Sequence, residues 1–228
     1  MQQPSVWVVI AAYNEDKVIG DVLREIIQCN PSYSIVVIDD GSTDKTASVV
    51  SGLPVHLLVH PVNLGQGAAL ATGIDYALSY NADVIVTFDA DGQMSPKDIE
   101  TLVKKVIREG FDAALGSRFL SRPVEGMPPL RKTLLKLAVV FTKLTTGLKI
   151  SDIHNGFRAF SAEAVKKITI TQNRMAHASE ILTQIASMKL KYCEVPVSIR
   201  YTKYSRAKGQ SIWNTINILY ELLTGNKK

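Results

Sequence analysis

Residues 84–93 read Val84-Ile85-Val86-Thr87-Phe88-Asp89-Ala90-Asp91-Gly92-Gln93. Apolar and β-branched side chains run without a break into two aspartates one residue apart, followed by a glycine. A run that short and that uniformly apolar predicts a strand covered on both faces, the habit of parallel sheets. Its polar end is the carboxyl end of the strand, the edge at which ligands sit in open α/β sheets. Outward from it, Val6–Ala11, Ile35–Asp39, Val55–Val59 and Ala113–Gly116 have the same character. Between them, Glu15–Gln28, Thr43–Val50, Gly67–Tyr80 and Pro96–Arg108 show helical spacing, with Ser95 as the expected N-cap before Pro96. Strand alternating with helix predicts an α/β domain: a mostly parallel central sheet flanked by helices.

The rhythm breaks after strand five. A turn-rich stretch, Arg122–Pro129, leads into an amphipathic helix over Leu130–Thr146 and a loop over Asp152–Phe160. A helix over Ala178–Met188, a strand over Tyr192–Tyr201 and a helix over Ile212–Leu223 are then expected. No repeat and no low-complexity linker divides the chain, and 228 residues suit one core. We therefore expect a single domain over 1–228, its half 1–117 serving a nucleotide and a metal, its half 118–228 an acceptor. Charge separates the halves in the same place. Residues 1–117 carry 7 Lys or Arg against 15 Asp or Glu, a balance of −8, and residues 118–228 carry 19 against 6, a balance of +13. An acidic half suits a divalent cation and a basic half suits phosphates or an anionic surface.

At 46% hydrophobic and 21% charged, the composition excludes a disordered chain or a collagen-like rod. Cys29 and Cys193 stand far apart outside any CxxC spacing, which argues against a zinc knuckle or redox pair and makes both expected packing residues. Met1–Ser5 has no signal-peptide character, and no stretch approaches the roughly 18 uncharged apolar residues of a membrane span. The expected protein is soluble or peripheral.

Four predicted strands end in polar clusters: Ala12-Tyr13-Asn14-Glu15, Asp39-Asp40-Gly41-Ser42-Thr43-Asp44, Asp89-Ala90-Asp91-Gly92-Gln93 and Gly116-Ser117-Arg118. Asp89 and Asp91 can turn both carboxylates towards one hard cation, with Gln93 as a neutral oxygen and room left for water and diphosphate. A lone DxD is more often an acidic turn cap. Three such acidic clusters at successive strand ends favour a site. Asp39 and Asp40 end a different strand, so hydrogen bonds to a base or ribose suit them better than the same metal, and Tyr13 offers a face for the base. The turn Asp40-Gly41-Ser42-Thr43 also reads as a helix cap, and both readings can hold. Gly65-Gln66-Gly67 departs from a dinucleotide fingerprint, since Leu70 fills the third glycine position and the preceding strand is the third. Its glycines are expected to allow a tight helix entry.

Taken with Asn63-Leu64-Gly65-Gln66-Gly67, Gly116-Ser117-Arg118-Phe119, Asp152 with Gly156-Phe157-Arg158, and Lys208-Gly209-Gln210-Ser211, these clusters resemble family 2 glycosyltransferases. The resemblance spans nearly the whole chain and is strongest to the polyprenyl or dolichyl phosphate mannose and glucose synthase branch. It implies the GT-A (nucleotide-diphospho-sugar transferase) fold and a hexosyltransferase dependent on Mg2+ or Mn2+. It implies that Ala12, Tyr13, Glu15, Asp39, Asp40, Asp89 and Ala90 line the nucleotide sugar, and that Asp89, Asp91 and Gln93 carry the metal. By the same similarity Arg118, Arg158, Arg200, Arg206, Lys208 and Ser211 face the donor diphosphate or an acceptor phosphate, with Arg118 and Asp91 acting in catalysis. Asp152 is the candidate base or acceptor-positioning residue. The alternative is that it pairs with Arg158 and shapes the loop. Gln66 and Ile212 stand where the family often has lysine, and Ala11 where it often has proline.

The implied reaction is inverting transfer of a hexose from a UDP- or GDP-sugar to a polyprenyl phosphate, or else to a sugar hydroxyl of a lipid-linked glycan in cell-surface polysaccharide synthesis. Only a hydroxyl needs a base, because a phosphate is already ionised at neutral pH. Basic and apolar residues interleave from Arg131 to Lys149, which suits a helix lying on an anionic membrane or a core helix with snorkelled lysines. The expected location is cytoplasmic, peripheral to the cytoplasmic membrane, with a homodimer or separate membrane subunit left open. A nucleotidyltransferase would need a basic glycine-rich loop where Asn14 and Glu15 stand. A nucleic-acid partner is not expected, since the basic residues follow no recognised binding motif.

Overall fold

The computed structural model describes residues 3–120, 139, 142–153 and 155–200. Among the described residues seven strands form one sheet: β1 (Val6–Ala12), β2 (Ser34–Asp39), β3 (His56–Val59), β4 (Val84–Asp89), β5 (Ala113–Ser117), β6 (Arg158–Ser161) and β7 (Tyr192–Pro196), in the order β3-β2-β1-β4-β6-β5-β7. Six run parallel. Only β6 is antiparallel, wedged between β4 and β5 with Thr87 and Leu115 flanking Arg158. The expected loop over Asp152–Phe160 thus ends in a strand whose entry lies at the carboxyl edge of its neighbours.

Strands covered on both faces must be apolar on both, and β1 is. Val6, Val8, Ile10 and Ala12 join one buried cluster with Ile19, Leu23 and Ile26 of α1 (Ile19–Cys29) and Leu102 and Val106 of α4 (Ile99–Glu109). Trp7 and Val9 join the other, with Leu70, Ile74 and Ala77 of α3 (Gln66–Ser79) and Ile181, Leu182 and Ile185 of α6 (His177–Ser187). The short helices α2 (Thr46–Ser51) and α5 (Ala162–Val165) complete the layers. Helix α3 sits unusually near the sheet. A Cβ on Gly73 would lie 2.4 Å from both Ile38 Cδ1 and Val9 Cγ1, so any side chain there would have to displace both.

The expected boundaries shift where loops take over chain. Helix α1 begins at Ile19, not Glu15, because residues 13–18 form the polar rim. Ser95 precedes a 3-10 turn, Pro96–Asp98, without a side-chain cap; its carbonyl accepts the Asp98 N–H instead. The last strand stops at Pro196, and Ile199 makes one antiparallel bridge to Met94. Cys193 packs partly buried against the first cluster, whereas Cys29 is exposed at the end of α1, contrary to its expected packing role. Residues 142–146 are helical, within the expected span Leu130–Thr146. Residues 130–138, 140 and 141 of that expected span, and the expected helix Ile212–Leu223, lie outside the described residues. No described helix is long and apolar enough to cross a membrane.

Candidate active site

The parallel strands deliver their polar ends to one edge, where the first two loops are sewn together. Asn14 adopts φ +53°, its side-chain oxygen accepts the Thr43 N–H at 2.9 Å, and its own N–H donates to Ser42 Oγ at 2.9 Å. The Glu15 N–H donates to buried Thr46 Oγ1 at 2.8 Å. Ala12 and Glu15 are buried and Tyr13 presents an exposed ring. Asp39 is buried, with Oδ1 accepting the Ser42 N–H. Asp40 turns the other way. Its carboxylate accepts the Leu64 N–H at 2.9 Å and the Gly65 N–H at 2.7 Å and faces His60 Nδ1 at 2.8 Å. Both of its oxygens therefore fix the loop that enters α3.

Asp89 and Asp91 leave β4 with Ala90 buried between them. Gln66 Nε2 donates to Asp89 Oδ1 at 3.1 Å, and Gly156 backs the same carboxylate so closely that a Cβ would lie 3.0 Å from Oδ1. Asp91 accepts the Gln93 N–H at 3.0 Å and Gln93 Nε2 at 2.8 Å, so Gln93 meets Asp91 through its amide nitrogen. Loss of water, then the charge of Asp91, pushes the Asp89 carboxyl up to about 7, although Arg118, Arg158 and Gln66 pull it down. Two carboxylates whose mutual repulsion nearby arginines do not relieve fit a divalent cation. Among the described residues no three His, Cys, Asp or Glu side chains group as a metal cage. Asp89 and Asp91 would thus leave most of a cation's coordination to diphosphate and water.

Behind β5, Asp152 Oδ2 accepts both the Arg118 N–H at 3.1 Å and Arg118 Nε at 2.6 Å, with the Asp152 side chain 1% exposed. Its ion-pair partner is Arg118, where pairing with Arg158 was the alternative expected. Glu194, on β7 and unmarked by any motif, anchors this turn: its Oε1 accepts the Ser151 N–H at 2.8 Å, Ser151 Oγ at 2.9 Å and the Asp152 N–H at 3.3 Å. Ser151 Oγ in turn meets Ser117 Oγ at 2.6 Å. A solitary acid in a strand sends no signal when its partners lie 42 or 43 residues away.

The other expected phosphate contacts are engaged elsewhere. Arg158 is buried and donates to the carbonyls of Asn155, Ile153 and Ala178. Burial lowers its pKa to about 10, though Asp152 and Asp89 act against that. Arg200 forks onto Glu25 at 3.0 and 3.2 Å, and its N–H donates to the Gln93 carbonyl at 2.7 Å. Arg206, Lys208 and Ser211 lie outside the described residues.

Gly65 and Gly67 admit backbone, which explains them better than helix entry alone. A Cβ on Gly65, at φ +106°, would lie 2.3 Å from the Asn173 oxygen, and one on Gly67 would lie 2.0 Å from the Gln172 oxygen. The Asn173 carbonyl accepts the Gly67 N–H at 2.8 Å and the Ala68 N–H at 3.3 Å, capping α3. Glu180 holds the same segment from behind through the Thr171 and Gln172 N–H groups and Thr171 Oγ1. Sequence reading passed over this strap because it acts through carbonyls that any residue carries.

Residues 7–169 match the family described as Glycosyl transferase family 2. An uncharacterised protein of Methanocaldococcus jannaschii is 39% identical over 226 residues, covering 98% of this chain and 93% of its own. The UDP-N-acetylglucosamine--dolichyl-phosphate N-acetylglucosaminyltransferase of Methanococcus voltae is 32% identical over 243 residues, covering 98% and 96%. Glucosyl-3-phosphoglycerate synthase from Mycobacterium tuberculosis, solved with Mn2+, UDP and phosphoglyceric acid, superposes with a TM-score of 0.72 at 17% identity, covering 97% of this chain and 78% of that one. That likeness is one of fold, the GT-A arrangement that the family resemblance implied. With the family match extending from β1 through β6 to the residues after α5, the chain belongs to glycosyl transferase family 2.

Proposed function

We propose that this protein transfers a sugar from a nucleoside diphosphate sugar to the phosphate of a polyprenyl carrier, with inversion, as a peripheral enzyme at the cytoplasmic membrane face. The observation that carries the choice of acceptor is the Asp152–Arg118 pair. A hydroxyl acceptor needs a base within reach of its proton. The carboxylate expected for that task is 1% exposed and gives one oxygen to two donors of Arg118. A phosphate acceptor needs no such base, and a dolichyl phosphate acceptor is what the name of the Methanococcus voltae relative states.

The reaction balances without a proton. An acceptor phosphate oxygen forms a bond to the anomeric carbon from the face opposite the leaving group, the bond from that carbon to the diphosphate oxygen breaks, and the nucleoside diphosphate departs with the electron pair. Tyr13 and Asp39 suit the nucleoside end, one by its exposed ring and the other beside the Ser42 turn. Asp89 and Asp91 would hold Mg2+ or Mn2+, whose charge, when bound, offsets that developing on the leaving diphosphate. Asp40 keeps the loop Asn63–Gly65 in place, so that Gln66 can orient Asp89.

The test is transfer by the full chain, in Mn2+, from radiolabelled UDP-N-acetylglucosamine, UDP-glucose or GDP-mannose to undecaprenyl or dolichyl phosphate in vesicles. Label is expected in the lipid phosphate with at least one donor. Label entering only a lipid-linked saccharide overturns the acceptor assigned here.

A further inference from the structure

The cations marked by sequence for phosphate are engaged within the protein wherever they are described: Arg118 by Asp152, Arg158 by three carbonyls, Arg200 by Glu25. Arg174 differs from all three. It is exposed, and among the described residues it forms no ion pair. Its backbone is nonetheless tightly held. The Arg174 carbonyl faces His177 Nδ1 at 2.6 Å and accepts the His177 N–H, while its neighbour Asn173 caps α3. Its stem lies on Gly65, where a Cβ would meet Arg174 Cγ at 3.1 Å. The next residue, Gln66, reaches Asp89. An arginine with no ion pair among the described residues is therefore fixed at its root against Gly65, on the loop from which Gln66 reaches Asp89.

Resting on the transferase reading above, we propose that Arg174 is a phosphate-contact residue of the active site, receiving an oxyanion of the donor diphosphate or of the acceptor phosphate. A guanidinium presents a planar fork that matches two phosphate oxygens at once. Anchoring the backbone leaves only side-chain freedom to be lost when the ligand arrives. The contact also explains the strictness of Gly65 and Gly67. Any side chain at either position displaces the strap, and Arg174 with it.

The experiment compares the full-length wild type with Arg174→Gln and Arg174→Lys in two arms. One arm titrates UDP and GDP in Mn2+ by calorimetry; the other measures KM for undecaprenyl phosphate in vesicles. One hydrogen-bonded charge lost predicts a rise of about tenfold to a hundredfold in one of these constants for Arg174→Gln, partly recovered in Arg174→Lys. A rise in the nucleotide constant assigns the contact to the donor; a rise in the lipid KM alone assigns it to the acceptor. Both variants should melt within about 2 °C of wild type, since only an exposed head group changes. Constants within twofold of wild type overturn the inference, as does a loss of binding accompanied by a large fall in melting temperature. A wild type that binds neither nucleotide and transfers nothing sinks the transferase reading itself, and Arg174 with it.

Discussion

Asp152 and Arg118 meet through a single oxygen, Oδ2, which accepts from both the backbone and the guanidinium of the same residue at 3.1 and 2.6 Å. Arg118 follows β5 directly, and Asp152 begins the loop that ends in β6, so this contact joins the two strands' polar ends over the sheet edge. Glu194 steadies it from the third strand of the group, β7. Removing the charge should reveal which of two roles Asp152 has. Asp152→Asn keeps the shape and weakens a charge-assisted pair, at a cost of about 2 kcal/mol in urea unfolding. In a clamp, the acid limb of the pH–rate profile stays where it is in wild type. Disappearance of an ionisation from that limb would instead make Asp152 the base and the acceptor a hydroxyl.

Asp89 supplies a pH dependence of definite sign. Its carboxyl titrates at about 7 in the fold, against an ordinary value of 3.8, because it has lost water and faces Asp91. An acid that binds its proton more tightly when folded adds stability that is complete below the lower value and is lost as pH rises through the higher one. In EDTA, Asp89→Asn should therefore melt above wild type at pH 8, with the gap closing towards pH 4. Mn2+ should reverse the order at pH 8 by stabilising wild type alone, as a ligand that binds only the native state must. Equal melting temperatures across this range in EDTA would show that the two carboxylates do not repel, and the case for a cation would lose its physical basis.

Much of the architecture was legible in the sequence because buried parallel strands must be apolar on both faces. Val84–Asp89 has the expected boundaries, and the rim clusters after β1, β2, β4 and β5 lie on one edge as expected. What stayed hidden shares a cause. Strand β6 is only Arg158-Ala159-Phe160-Ser161, too short for a period and led by a charge, and its partners on the neighbouring strands lie 43 to 77 residues away. The strap at Asn173 acts through a carbonyl, and Glu194 through partners set only by strand order. Arg158 illustrates the reverse. The resemblance suggested a ligand contact, yet its guanidinium makes four hydrogen bonds to backbone carbonyls.

Two glycines should separate close approach from turn geometry. Gly67→Ala directs a methyl to within 2.0 Å of the Gln172 oxygen, on a segment held from behind by Glu180, and 3.0 Å from His177 Cβ, at the start of α6. Backbone cannot yield as a flexible side chain does, so the expected loss is about 3 kcal/mol. Gly110→Ala provides the control. It sits at φ +65° with nothing within 4 Å, so only the left-handed backbone is strained, at about 1 kcal/mol. Comparable losses for both variants in chemical unfolding would remove the strap's claim on Gly67.

His177 should make the fold sensitive to acid in the opposite sense to Asp89. Burial, then the nearby Arg158 charge, lowers its pKa below 6.5, and the hydrogen bond to the Arg174 carbonyl only partly compensates. A base that gives up its proton more readily when folded adds stability that is complete above the unfolded value and is lost as pH falls through the folded one. Wild type in Mn2+ should therefore lose melting temperature as pH falls below about 6.5. His177→Gln keeps a donor for the Arg174 carbonyl without a titratable group, so it should start lower and fall less over that interval. A parallel decline in the two proteins would place the acid sensitivity elsewhere and leave the strap's hold on Arg174 independent of the charge state of His177.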